Sequence, residues 1–147
     1  MSFVYSVKFI CGTQNPPTTS NPCTPVRQGI YSTEVNIHNF HPDGTPPAVI
    51  TKLALLLVHN DVPVGREPAF APAAPPFANI TLKPGTATMD DCCSLLGPLR
   101  LSLSQLNIGF LVLQSTVSLN VTAVYTATDL HSGSISIDVQ SINERQV

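Results

Sequence analysis

The sequence predicts an all-β fold, an antiparallel β-sandwich of jelly-roll type with about seven or eight strands and at most one short helical turn. Three observations carry this. β-Branched and aromatic residues recur at period two, clusters of Pro, Gly, Asn and Ser separate those runs, and helical periodicity is nearly absent. At 147 residues the chain is expected to form a single domain, residues 1–147, large enough to bury a core without metal or disulfide staples.

Phe3, Tyr5, Val7 and Phe9 alternate with Val4, Ser6, Lys8 and Ile10, a first strand with one apolar face. Residues 12–29, with four prolines in polar surroundings, cannot hold regular structure and read as a long surface loop. Ile30 to Phe40 returns to strand, with Val35 and Ile37 inward, and HPDGTPP supplies a turn. Ala48 to Val58 is apolar almost throughout. Residues 59–78 contain five prolines and read as a second long loop, whose Phe70 and Phe77 argue for contact with a surface, its own or a neighbour's. Ile80 to Leu82 and Thr86 to Met89 form a hairpin around Lys83-Pro84-Gly85-Thr86, after which Asp90 and Asp91 read as an N-cap for one helical turn through Cys93 to Leu96.

The last third has the clearest alternation. Leu119, Val121, Ala123 and Tyr125 share one face of a strand; Ile135, Ile137 and Val139 share one face of the next, and both strands are expected to have a buried side and a wet side. Ile108 to Leu113 differs, because Ile108, Phe110 and Val112 point one way while Leu111 and Leu113 point the other. A strand apolar on both sides is covered on both, by the rest of the domain or by a second subunit.

Composition limits the functions open to the chain. It is 43% hydrophobic with a mean hydropathy of +0.20, yet carries only 7 basic and 9 acidic residues. A folded monomer of this mass exposes roughly 7,300 Å² by size scaling, or one charge per about 450 Å², around half the usual density or less. A surface so poorly charged is expected to be covered in part by other copies of the chain. The net charge of −2 and the lack of any basic run exclude an electrostatic footprint for nucleic acid or anionic lipid, and no stretch is long enough for membrane insertion. The opening MSFVYSVKFICG lacks the layout of a secretion signal, so the expected location is cytoplasmic, with export by a non-classical route as the alternative. The sequons at Asn79 and Asn120 lie inside strand-like runs and read as coincidental.

Reactive groups are few. Cys11, Cys23, Cys92 and Cys93 have no zinc-ligand spacing; a metal site assembled from distant segments, cross-links within or between chains, and reduced part-buried thiols are the alternatives, the last favoured. His38 and His41, three apart at a strand end, are candidate metal ligands but read more simply as polar histidines at a turn. Asp129, His131 and Ser132 or Ser134 lie within one turn, with no nucleophile elbow and no Gly-rich oxyanion segment. No phosphate loop or dinucleotide fingerprint is present, there is no Trp, and only nine residues are aromatic. No catalytic or cofactor-binding residue is therefore assigned, no cofactor is expected, and the chain reads as a non-enzyme; any small-molecule ligand is left unassigned.

The segments ITLKPGTATMDDC, LNIGFLVLQSTVSLNVTAVYTATD and SGSISIDVQSI, within residues 80–142, resemble the organisation of the sensory rhodopsin transducer family of small bacterial proteins. The resemblance implies a compact β-sandwich that forms cyclic homo-oligomers. The leading expectation is a structural protein whose copies assemble into a ring, shell or filament, with Leu53, Leu55, Leu57, Phe70, Phe77, Leu111 and Leu113 at the contacts. An oligomeric ligand-binding or signal-transducer module, and a thiol- or metal-dependent protein, are the alternatives.

Overall fold

The computed structural model describes residues 1–72 and 74–147. Among them the chain forms ten strands and one helix: β1 Phe3–Gln14, β2 Gly29–His38, β3 Ala48–His59, β4 Val62–Pro63, β5 Ala78–Leu82, β6 Ala87–Asp91, α1 Cys92–Leu99, β7 Leu106–Ser115, β8 Asn120–Thr128, β9 Ile135–Ser141 and β10 Arg145–Gln146. The all-β reading holds: eight strands have five residues or more, β4 and β10 are two-residue pairings, and α1 is the one short helix.

Every pairing is antiparallel, in the order β4-β3-β7-β1-β2-β8-β9, with β10 on β1, β5 on β3 and β6 on β2. β1 meets β2 through only three residue pairs, Gly12 to Gln14 against Tyr31 to Gly29. The sheet folds over at this corner into two layers, one centred on β3-β7-β1 and the other on β6-β2-β8-β9. Gly12 makes the corner, because its φ of +106° lies in glycine territory and a Cβ there would overlap the Gln105 carbonyl.

Alternation along the strands supplies the core between the layers. Tyr5, Val7 and Phe9 of β1, Val35 and Ile37 of β2, Ile50 of β3, Leu111 and Leu113 of β7, and Val121 and Ala123 of β8 are buried. The expectation that Leu111 and Leu113 lie at a contact with another subunit is corrected here. They fill the core because the second layer covers that side of β7, which leaves Phe110 and Val112 on the outside.

Polar groups tie the layers together. Tyr5 Oη accepts from the Leu119 N–H at 2.6 Å and lies 3.0 Å from its carbonyl, while Tyr125 Oη donates to the Lys8 carbonyl at 2.8 Å. Lys52 Nζ on β3 meets Asp90 Oδ2 on β6 at 2.7 Å, an ion pair removed from solvent between the layers. Asp90 is thus not a cap. Asp91 alone caps α1, its carboxylate accepting from Ser94 N–H while its own N–H donates to Ser94 Oγ, both at 2.8 Å.

The two Pro-rich segments diverge. Residues 15–28 carry no helix or strand, and Val26 packs over Val58, Leu106 and Ile108, sealing one end of the outer face of the first layer. The second segment begins with a hairpin that its prolines conceal: Asn60 and Asp61, at φ of 48° and 69°, turn β3 into β4. Their side chains accept from the Ser102 and Leu106 N–H groups at 2.8 Å, and buried Asn107 accepts from the Asn60 N–H, so the hairpin fixes the loop between α1 and β7.

Candidate functional site

Strand β9 closes one edge of the second layer. It pairs with β8 on one side, from Thr122↔Ser141 to Thr128↔Ile135, and no described residue pairs with it on the other. All seven of its residues are exposed. Register fixes its faces: Ala123, buried against the core, stands opposite Gln140, whereas Val124 stands opposite Val139 and Thr126 opposite Ile137. Ile135, Ile137 and Val139 therefore point away from the core, with 69%, 68% and 62% of their surface in solvent. The expectation of a buried face for these three is corrected; β9 lies beyond the reach of the opposite layer, and the side turned toward that layer carries Ser136, Asp138 and Gln140.

The outer face of the first layer has a second apolar area. Across β3, β7 and β1, Leu53 aligns with Val112 and Ser6, and Leu55 with Phe110 and Lys8. Leu53, Leu55, Phe110 and Val112 are half-buried, and the Lys8 ammonium lies 5.2 Å from the centre of the Phe110 ring. Leu57 belongs to the part covered from within the chain, beside Gly65 of the second Pro-rich segment. That segment also places Phe77 against the core and leaves Phe70 87% exposed.

The cysteines separate into two kinds. Cys11 and Cys92 form a disulfide with Cα atoms 5.6 Å apart, joining β1 to the start of α1 across the layers; for these two the preference for reduced thiols is corrected. The corner at Gly12 brings the end of β1 beside the start of α1, a juxtaposition that spacing alone does not reveal. Closing a separation of 81 residues contributes ~4 kcal/mol through the unfolded chain. Cys23 and Cys93 are free and exposed.

The two candidate histidines lie in different settings. His38 is exposed at the end of β2, while His41 stacks on Phe40 and hydrogen-bonds the Ser118 carbonyl through Nε2 at 2.9 Å. Among the described residues no three His, Cys, Asp or Glu side chains converge as a metal set. Asp129 accepts from the His131 and Ser132 N–H groups at 2.8 and 2.9 Å, and these bonds hold its carboxyl below the ordinary carboxylate range. It braces a turn and does not orient the His131 ring, whose Nε2 lies 3.1 Å from Gln28 Oε1.

No family model matches the chain, and no curated protein matches it. Among solved structures the chain is similar to the crystal structure of Thermotoga maritima 1070, at 10% identity over 92% of this chain and 91% of that one, with a TM-score of 0.48. A likeness at that level carries no inference about function. No helix among the described residues is long and apolar enough to cross a membrane.

Proposed function

We propose that the chain is a non-enzymatic, self-assembling β-sandwich, a structural subunit of a homo-oligomer. The observation that carries this reading is β9, an unpaired seven-residue edge whose apolar row faces solvent. The charge deficit supports it. With Lys52 and Asp90 locked in their buried pair, the 8361 Å² surface carries about one charge per 600 Å². The area around Leu55 and Phe110 offers a second contact on a different side of the molecule, which is what extension beyond a pair requires. The cross-layer disulfide favours an oxidising location over the cytoplasm.

Light scattering coupled to size separation, run from dilute to concentrated protein, tests the reading. The expected result is a mass above 15.7 kDa that grows with concentration; a strict monomer throughout overturns it.

A further inference from the structure

We infer that β9 pairs with β9 of a second copy, antiparallel about a two-fold axis through Ile137, so that the second layers of two chains become one continuous sheet. This rests on the proposed self-assembly and specifies its first contact.

The backbone directions come from the β8 pairing. Ile142 donates to the Val121 carbonyl, and the Ser134 carbonyl accepts from Asp129. Amide groups alternate along an antiparallel strand, so even-numbered residues from 134 to 142 turn toward β8. The N–H and C=O of Ile135, Ile137, Val139 and Ser141 therefore face outward from the open edge, as a row of donors and acceptors that another strand can satisfy.

The devices that normally block such an edge are reduced on β9 to one inward-turned charge, Asp138, and are stronger at the other edge strands. β4 and β10 are two residues long and β4 contains Pro63; β5 is five residues long and follows Pro75 and Pro76; β6 is five residues long and ends in Asp90-Asp91. β9 has seven residues, no proline, no lysine and a single charge, Asp138. Its apolar row makes a second copy the matching occupant, because an antiparallel two-fold pairing keeps that row on the same side of the joined sheet in both chains.

The axis position follows from Asp138. A two-fold perpendicular to the sheet allows only registers in which paired residues share a face. Centring on Asp138 sets the two carboxylates directly opposite each other, in the close non-hydrogen-bonded site. Centring on Ile137 opposes Ile137 to Ile137 of the second copy and Ile135 to Val139 of the second copy, while each Asp138 faces Ser136. That register matches apolar to apolar and keeps the acids apart. A strand edge of about 23 Å with one apolar row covers less than the roughly 800 Å² per partner of a standard interface, so the pair dissociates on dilution.

The test begins from the Cys23→Ser, Cys93→Ser protein, with its buried disulfide intact. Ile137→Cys in that background places two thiols across the axis, and oxidised glutathione, itself reduced in the exchange, should convert it to a covalent dimer; Asp138→Cys and Phe110→Cys should remain largely uncrosslinked. Ile137→Pro removes an N–H that points away from β8, so the chain keeps its own ladder, and the dimer dissociation constant should rise about tenfold or more. Circular dichroism verifies that each variant is folded, and Ile137→Lys provides a second disruption should the proline variant fail. Cross-linking through Asp138→Cys and not through Ile137→Cys overturns the register. Association unchanged in Ile137→Pro or Ile137→Lys, with no cross-link at either β9 position, overturns the β9 pairing while self-assembly stands. A wild-type monomer at every concentration overturns both.

Discussion

Lys52 and Asp90 are a lysine and a carboxylate taken out of water in a molecule that has few charges to spend. Their mutual attraction offsets desolvation only while both are present, so the pair adds little net stability over an apolar pair of the same volume. Lys52→Met should leave the Asp90 carboxylate buried and unpaired at a cost of about 3–5 kcal/mol. Adding Asp90→Leu to it should recover most of that loss, because two apolar side chains of similar volume fill the same space without charge. Urea unfolding of the wild type and both variants measures this; a Lys52→Met protein as stable as wild type would show that water reaches the carboxylate. Nothing in the sequence distinguishes Asp90 from Asp91, since adjacent acids before a helix both suit a cap. The layer geometry separates them: Asp91 reaches the helix amides, while Asp90 alternates inward toward β3.

Among the elements, β7 is constrained along nearly its whole length, by β1 on one side and β3 on the other. Gly109 stands opposite Phe9 of β1 and Leu56 of β3, and a Cβ there would overlap the Leu55 carbonyl and come within 2.8 Å of Phe9 Cζ. Gly109→Ala should therefore cost about 3 kcal/mol, the upper range for overpacking, while Phe110→Ala next to it, on the outer face, costs far less. Thermal or urea denaturation ranks the two; equal losses would refute the close packing of Phe9 on the glycine. The sequence shows which residues share a face but not which face is the core. β1, β2 and β8 resolve themselves because only one of their faces is apolar. β7 and β9 do not: β7 is apolar on both sides, and the apolar side of β9 faces outward because the opposite layer ends short of it. The candidate site is for that reason the part of the chain least legible from periodicity, which reads an exposed row such as Ile135, Ile137 and Val139 as a buried one.

At the scale of the molecule, the contacts that join the two layers around their apolar core include the three-pair corner, the disulfide, the ion pair, the Thr33 hydroxyl on the Ile10 backbone and two tyrosines, and the tyrosines make the joint sensitive to alkali. Burial pushes the Tyr5 and Tyr125 hydroxyls above the ordinary value of 10.0, with the carboxylates of Glu144 and Asp138 adding to it; burial does the same for Tyr31, the remaining tyrosine, beside Asp129. In each case folding favours the protonated, neutral phenol. A folded-state value above the unfolded one contributes stability that is fully present below the unfolded value near 10 and is lost as pH rises through the folded value. Tyrosinate absorbance should therefore emerge later than in free tyrosine, and it should rise together with loss of the β circular dichroism signal. Tyr5→Phe with Tyr125→Phe separates the two effects of these hydroxyls. The variant loses its cross-layer bonds, about 1 kcal/mol each at neutral pH, but its stability should fall less steeply in alkali, because Tyr31 is then the one phenol left to ionise. Tyrosinate formed at the ordinary value with the sheets intact would show that the phenols are open to water and that the layers are not joined through them.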